Sequence, residues 1–191
     1  MSELVDKAII FATKKHSGQI RKFGNTPYIL HPLEVAVIIS TMTADDATIA
    51  AGILHDTVED TDATPEEIRT LFGSRVYALV MSETEDKISD KPPAESWMER
   101  KQDSLLALEY TKDIEVKKMW LADKLSNLRS FYRTQLEIGD ELWQRLNQKD
   151  KSKQAWYYRT IAKCITQLND TAAYKEYCML VTLVFGGKEN V

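Results

Sequence analysis

The sequence has 191 residues, of which 43% are hydrophobic and 28% charged, with a formal net charge of −4 and a pI near 5.5. This length predicts one domain that can bury a sizeable core, and the acidic balance argues against polymeric DNA or RNA as a partner. A small anionic substrate stays compatible with this charge, because a local basic pocket can lie within an acidic protein.

Neither export nor a membrane span is expected. The N-terminus lacks the basic region and apolar core of a signal peptide, and no apolar run approaches the ~18 residues that cross a bilayer. Cys164 and Cys178 lie within helical patterns rather than in a C-x-x-C pair. Two semi-buried thiols are therefore expected rather than a disulfide or zinc site, and the cytoplasm is the predicted compartment.

Hydrophobic periodicity predicts helices along almost the whole chain. The first covers residues 3–16, with Ser2 as its N-cap. Glycines and a proline then predict a loop over 17–30, and a second helix opens near His31-Pro32, because proline suits a first turn. A third helix is expected over 45–57, capped by Asp45 or Asp46.

Further along, the segment Thr64-Pro65-Glu66-Glu67 combines an N-cap, a first-turn proline and a glutamate at N3, which together mark a helix start. Gly73 is expected to end that short helix. The later predicted segments are an apolar stretch over 76–81, a loop over 86–96, helices over about 96–110 and 114–136, a turn at Gly139, and helices over about 152–168 and 171–185. One all-α, single-domain helical bundle is the predicted fold.

The segment from His55 to Asp60 places several polar side chains where an apolar helix emerges from the core. This arrangement is costly unless something compensates the charge. His55 and Glu59 are four residues apart, as are Asp56 and Asp60, so each pair shares a face if the helix continues. The first pair can bind an ion, and the second would lie ~6 Å along the helix, within reach of a metal-bound water. This layout suits metal ligands with a general base.

Other polar residues strengthen this interpretation only in combination. A histidine before a proline, such as His31, is often just a helix-entry residue. Asp123 and Asn127 share a face of another apolar helix, where a satisfied polar residue in a bundle is the alternative. Together with His55-Asp56, these residues favour a metal site over a set of unrelated structural positions.

Three ordered blocks of the chain resemble the RelA/SpoT-type hydrolases, which are HD-domain phosphohydrolases. The blocks cover residues 16–32, 54–61 and 122–129. The resemblance implies one HD-type hydrolase domain over 1–191, with a motif-bearing core at about 3–135 and closing helices at about 140–185. A synthetase domain would need many more residues than follow, so a hydrolase-only member, a small alarmone hydrolase, is expected.

In that family, the histidine, histidine–aspartate and distant aspartate positions hold one Mn²⁺ ion. Here they are His31, His55, Asp56 and Asp123, and two imidazoles with two carboxylates suit a borderline divalent ion.

The family's Glu–Asp pair, which activates or orients the attacking water, matches Glu59 and Asp60. We expect Glu59 to participate more directly and Asp60 to support it.

The substrate needs cations, because four carboxylates around a divalent ion leave the centre negative and would repel a polyphosphate. The resemblance implies that Arg21 stacks on the guanine base and that Lys22 lies beside the nucleotide. Stacking of a guanidinium on a base is physically reasonable, because its face is planar and weakly hydrated. Asn127 matches a position near the sugar or phosphate. The segment Glu99-Arg100-Lys101 also resembles a family segment, which implies that Arg100 and Lys101 approach the pyrophosphate. Solvated surface pairs are the alternative for both basic pairs.

Two further residues of the first block, Phe23 and His16, bear on the nucleotide contacts and on the local structure. Phe23 stands where bifunctional members commonly carry a small polar residue, which bears on one nucleotide contact. His16 is expected to be structural.

The leading hypothesis is therefore hydrolysis of the 3′-pyrophosphate of guanosine tetra- or pentaphosphate to GDP or GTP plus pyrophosphate. One alternative keeps the metal but acts on NADPH or another 2′- or 3′-phosphorylated nucleotide. Another is a protein that binds the alarmone without hydrolysing it, although such a receptor needs no water-activating carboxylates. The expected partner is a small guanine nucleotide rather than a membrane, and the oligomeric state is left open.

Overall fold

The structure is a computed structural model that describes residues 2–23, 25–84 and 95–187. Over these ranges the named elements are all helices, which confirms the all-α prediction, and one isolated antiparallel bridge joins Ile20 and Pro27. The α-helices are α1 (Glu3–Lys15), α2 (Leu30–Ser40), α3 (Asp46–Leu54), α4 (Thr57–Asp60), α5 (Pro65–Met81), α6 (Trp97–Tyr110), α7 (Ile114–Ile138), α8 (Lys151–Cys164) and α9 (Ala172–Phe185). Two 3₁₀ segments cover Gly139–Arg145 and Thr166–Leu168. Most of the loop predicted over 86–96 lies outside the described residues.

Side chains near in sequence explain why the helices begin where they do. Asp45, rather than Asp46, caps α3, because its carboxylate accepts a hydrogen bond from the Thr48 N–H at 3.1 Å. At the start of α5, Thr64 and Glu67 form the expected capping box, with reciprocal bonds of 2.8 and 3.2 Å. Gly73 breaks the helical backbone inside α5, with φ 86° and ψ 169°, so helical geometry is interrupted there as predicted.

Two predicted helices are shorter than expected. The helix predicted over 45–57 ends at Leu54, and the single turn α4 follows after His55 and Asp56. The helix predicted over 152–168 ends at Cys164, before the 3₁₀ segment Thr166–Leu168. Periodicity in the sequence missed the first interruption because His55 and Asp56 keep helical backbone angles. It missed the second because Ile165 leaves helical geometry, with φ −115° and ψ 24°, without a glycine or proline to mark the break.

The backbone divides into two compact units, and the first comprises Met1–Thr84 and Lys118–Asp123. Its central helix is α3, which packs against α1, α2 and α5. Gly52 of α3 is fully within this core, and a methyl group there would overlap the Cδ1 atom of Ile39 on α2. The glycine therefore permits α2 and α3 to approach closely.

The second unit comprises Glu85–Lys117 and Lys124–Val191. Its core is rich in aromatic rings, including the edge-to-face pair Trp97–Tyr157 at 5.8 Å. Lys117 is buried and donates hydrogen bonds to the Cys164 carbonyl at 2.9 Å and to Gln167 Oε1 at 3.1 Å, which satisfies the C-terminal end of α8. The expectation of one HD-type domain over 1–191 stays a prediction.

Among the described helices, we find none with both the length and the apolar character required to span a bilayer.

Candidate metal centre

His31 enters the first unit at the start of α2. The next residue, Pro32, lies in the first turn, where its missing N–H costs no helical hydrogen bond. The His31 backbone N–H donates to the Tyr28 carbonyl at 2.9 Å, and its side chain is buried. The imidazole is therefore held inside the unit rather than in solvent.

His55 and Asp56 occupy the corner between α3 and α4. Their backbones keep helical angles, but α3 has already ended at Leu54. The Nδ1 atom of His55 lies 2.8 Å from the Gly52 carbonyl, which can only accept, so Nδ1 carries the proton. This assignment leaves the Nε2 atom of the neutral ring as a bare lone pair.

Asp123 lies on α7, where it is only 4% exposed. Its neighbours Leu121, Ala122 and Leu125 are fully buried apolar residues. A carboxylate in such surroundings is costly unless an opposite charge compensates it.

These residues from α2, α7 and the α3–α4 corner meet at one point. Asp123 Oδ1 lies 3.1 Å from His31 Nε2 and 3.7 Å from His55 Nε2. Asp56 Oδ2 lies 3.1 Å from His55 Nε2 and 3.5 Å from His31 Nε2. The ligand atoms of His31, His55 and Asp123 all lie within 4.8 Å of one another, which is close enough to bind a single metal ion.

The chemistry of this donor set fits a divalent cation. Within the described part of the chain, the buried His55 Nε2 has no hydrogen-bond partner, although two carboxylate oxygens lie near it. A bare nitrogen lone pair facing anionic oxygens is stable only with positive charge between them. Two neutral imidazoles and two carboxylates carry −2, which a divalent ion neutralises.

The pKa shifts have the same electrostatic origin. Burial opposes protonation of His55, but the Asp56 and Asp123 carboxylates raise its pKa well above the ordinary value. Burial lowers the pKa of His31 despite the Asp123 carboxylate. Burial would raise the pKa of Asp56, yet the His55 and His31 imidazoles hold it well below its usual range. The negative potential at Nε2 that attracts a proton would equally attract a metal ion.

Beside this group, Tyr28 joins the two aspartates that the sequence places four residues apart. Its hydroxyl lies 2.7 Å from Asp56 Oδ2 and 2.8 Å from Asp60 Oδ2. Burial and the two carboxylates raise the pKa of Tyr28 far above its ordinary value, so the hydroxyl stays a proton donor. The predicted stacking of Asp56 and Asp60 on one face is thus observed, while Glu59 lies half-buried on the same turn.

Sequence reasoning missed Tyr28. No local pattern identifies this contact, because Tyr28 lies in the turn before α2 and meets the Asp56 and Asp60 carboxylates only through packing.

The two basic residues of the first block lie on the segment that leads to Tyr28. Arg21 places its guanidinium 5.5 Å from the centre of the Tyr28 ring, and Lys22 is exposed. His16 is buried and stacks on the same ring with 4.9 Å between ring centroids. This position agrees with the structural role expected for His16.

Asn127, Arg100 and Lys101 belong to the second unit. Asn127 is half-buried on α7. Arg100 Nε donates to Ser96 Oγ at 3.3 Å, and Lys101 Nζ lies 5.0 Å from the centre of the Tyr157 ring. Their role in substrate binding stays a prediction.

The HD domain family matches residues 8–150, so the chain belongs to this family. Among curated relatives, the chain is 39% identical over 130 residues to a GTP pyrophosphokinase of Myxococcus xanthus. It is 41% identical over 133 residues to a guanosine-3′,5′-bis(diphosphate) 3′-pyrophosphohydrolase of Aquifex aeolicus (strain VF5). The matches cover 67% and 69% of this chain but 17% and 18% of those relatives, so the chain spans less than a fifth of their length.

Two solved structures are similar over nearly their whole length. The crystal structure of lmo0812 from Listeria monocytogenes EGD-e has a TM-score of 0.72 and 32% identity, covering 82% of this chain and 99% of that one. A structure described as a metazoan ortholog of SpoT that hydrolyzes ppGpp has a TM-score of 0.74 and 28% identity, covering 95% of each chain. The fold is therefore shared with proteins of similar size.

Proposed function

We propose that the chain is a Mn²⁺-dependent hydrolase that removes the 3′-pyrophosphate of guanosine tetra- or pentaphosphate, giving GDP or GTP and pyrophosphate. The observation that carries this proposal is the convergence of two histidine Nε2 atoms and two carboxylates at one buried point. The relative from Aquifex aeolicus, named a guanosine-3′,5′-bis(diphosphate) 3′-pyrophosphohydrolase, supports the choice of substrate.

The ion would be held by His31, His55, Asp56 and Asp123. Mixed nitrogen and oxygen donors suit Mn²⁺, since carboxylates favour it and imidazoles bind it as a borderline ion. When bound, such an ion supplies Lewis-acid polarisation of a phosphoryl oxygen and a more acidic water.

Glu59 and Asp60 are the proposed water-activating pair. A carboxylate within hydrogen-bond reach of the attacking water orients it and accepts its proton as the bond to phosphorus forms. Asp60 already lies beside Asp56 through the Tyr28 hydroxyl, so its carboxylate is near the proposed ligands. We assign Glu59 the more direct contact with water and Asp60 the supporting one.

Substrate recognition is assigned to cations, because the carboxylates alone would repel a polyphosphate. Arg21 already lies over an aromatic ring, which supports its stacking on a guanine base. Lys22 would lie beside the nucleotide, and Asn127, Arg100 and Lys101 would contact its sugar and phosphates. The partner is thus a small nucleotide. Cys164 and Cys178 do not form a disulfide, which suits a reducing cytoplasm.

A turnover assay on two substrates tests the proposal. The purified chain is chelated, each divalent ion is returned stepwise, and hydrolysis of guanosine tetraphosphate and of NADPH is measured in parallel. We expect Mn²⁺ to restore pyrophosphate release from the alarmone with the larger kcat/KM. The Asp123→Asn and Glu59→Gln variants should lose this activity, whereas Glu66→Gln, an exposed control on α5, should keep it.

The other outcomes separate the alternatives. A larger kcat/KM for NADPH, with release of inorganic phosphate, would replace the proposal by a nucleotide phosphatase. Tight alarmone binding without turnover at any divalent ion would replace it by a binding protein. Full activity of Asp123→Asn would refute the metal assignment.

A further inference from the structure

Asp60 lies at the end of the single-turn helix α4 and is exposed, yet two side chains hold it in place. Gln19 Nε2 donates a hydrogen bond to the Asp60 backbone carbonyl at 2.7 Å. The Tyr28 hydroxyl lies 2.8 Å from the Asp60 carboxylate. Both the backbone and the side chain of this aspartate are therefore tied to the same preceding segment of the chain.

Gln19 and Tyr28 face each other in a small hairpin. We call the two short segments 19–21 and 26–28 the site hairpin. Its two segments are joined by the Arg21 N–H to Thr26 carbonyl bond and the Tyr28 N–H to Gln19 carbonyl bond, both 2.9 Å, and by the isolated antiparallel bridge between Ile20 and Pro27. The two contacts to Asp60 thus start from directly paired residues, and their separation is fixed by the hairpin.

His16 orients the first of these contacts. Its Nδ1 atom lies 2.8 Å from Gln19 Oε1. Because the Gln19 amide NH₂ is directed at Asp60, its oxygen faces His16, and Nδ1 must carry the proton. His16 also stacks on the Tyr28 ring. One buried ring thereby supports both side chains that hold Asp60.

The Tyr28 hydroxyl has one proton but lies against two carboxylate oxygens. It can donate fully to one of them at a time. Asp56 Oδ2 also lies 3.1 Å from His55 Nε2, at the point where the proposed cation would bind. With a cation on Asp56, the Tyr28 proton is available to Asp60 and orients that carboxylate.

We propose that the site hairpin is a positioning device, in which the Tyr28 hydroxyl binds the Asp60 carboxylate and the Gln19 amide binds the Asp60 backbone carbonyl, so that the carboxylate is held beside the proposed metal ligand Asp56. Tyr28 is a positioning residue that acts on the reaction through Asp60. The same hairpin carries Arg21, the residue proposed to stack on the guanine base. Movement of Arg21 and movement of the proposed water-activating pair are therefore coupled. The part of this inference that concerns turnover depends on the proposed function.

The test removes the hydroxyl and keeps the ring. Tyr28→Phe preserves stacking on His16 but loses both carboxylate contacts. With saturating Mn²⁺ and guanosine tetraphosphate, we expect kcat to fall by about 10- to 100-fold, as for other supporting residues, while KM changes by less than about threefold. In the Asp60→Asn background, the same substitution should lower kcat by less than about twofold, because residues acting through one group are not additive.

Tyr110→Phe is the matched control, since Tyr110 is 78% exposed on α6. It should leave kcat, KM and hydrogen exchange unchanged. Retention of wild-type kcat by Tyr28→Phe would overturn the proposal. An equal loss of kcat in the wild-type and Asp60→Asn backgrounds would also overturn it, since Tyr28 would then act by another route.

A second measurement needs no substrate. Amide hydrogen exchange of the full chain, with and without Mn²⁺, reports whether the site hairpin is tied to α4. Both Tyr28→Phe and Gln19→Leu should accelerate hydrogen exchange at three backbone amides, those of residues 21, 28 and 60. Unchanged exchange in both variants would refute the positioning device. Absence of alarmone turnover in the wild-type protein, with exchange accelerated as expected, would instead refute only the proposed function.

Discussion

Replacing Asp123 by asparagine changes the charge of the proposed centre with almost no change in side-chain volume. The carboxylate lies 3.1 Å from His31 Nε2 and 3.7 Å from His55 Nε2. Asp123→Asn takes the donor set from −2 to −1 and turns one anionic ligand into a weak neutral one. We therefore expect the variant to fold but to lose stabilisation by Mn²⁺.

The size of the loss follows from linkage. A metal ion present at a hundred times its dissociation constant stabilises the native state by about 2.7 kcal/mol. For a chain of this length, that corresponds to a rise in Tm of about 5–11 °C. In the metal-free protein, the substitution removes the attraction between the Asp123 carboxylate and the imidazoles. It also removes the repulsion between the Asp123 and Asp56 carboxylates. The metal-free Tm should therefore change less than the metal-induced shift.

Differential scanning calorimetry of the chelated protein, with stepwise return of Mn²⁺, measures both quantities. Asp113→Asn is the control, because it makes the same charge change at the N-cap of the same helix, where asparagine also serves as a cap. The control should keep the full metal-induced shift. A wild-type shift in Asp123→Asn would refute the ligand assignment, and an equal fall in Tm with and without metal would show a purely structural role.

Three further predictions concern the two units. In the metal-free protein, the lowered pKa of His31 makes the folded state less stable at acid pH, and this penalty disappears as the pH rises to the ordinary value of 6.5. The raised pKa of His55 has the opposite effect: it stabilises the folded state below pH 6.5, and this stabilisation is lost as the pH rises towards the folded pKa. Urea unfolding at several pH values should therefore show greatest stability near pH 6.5, and a flat profile would contradict these shifts. Gly52→Ala should lower the free energy of unfolding by about 1–3 kcal/mol through overpacking, offset by ~1 kcal/mol of helix propensity. Ile39→Val removes the overlapping Cδ1 atom and should therefore be less harmful in the Gly52→Ala background than in the wild type. Equal effects of Ile39→Val in both backgrounds would refute the overlap. Lys117→Met should lower Tm by about 2–12 °C, because the carbonyl at the end of α8 loses its donor, while an unchanged Tm would show that the carbonyl is satisfied otherwise.

The sequence predicted helix starts well, because their signals are local. Thr64 and Glu67 stabilise the first turn of α5 by bonds that span three residues, and both bonds are present. The interruption at Gly73 was predictable for the same reason, because a φ of 86° is a local conformation that glycine readily adopts. The break after Leu54 was not, because His55 keeps helical backbone angles and no local residue marks the end.

Within the candidate site, residue types and order were predictable, while distances were not. The spacing of Asp56 and Asp60 indicated a shared face, and Tyr28 indeed lies against both carboxylates. No pattern in the sequence indicated that Tyr28 would supply that contact, or that Gln19 would bond the Asp60 carbonyl. These contacts join residues 32 and 41 positions apart, so they depend on how the elements pack.

The amino-acid sequence by itself determined the helical class, most helix boundaries and the donor types at His31, His55 and Asp123, because periodicity, capping and side-chain chemistry act over a few residues. Only the tertiary structure decided that their ligand atoms lie within 4.8 Å of one another. That convergence requires α2 and α3 to approach closely at Gly52 and a buried carboxylate on α7 to meet both imidazoles. Such distances result from packing between segments far apart in the chain, where small differences in side-chain volume decide the geometry.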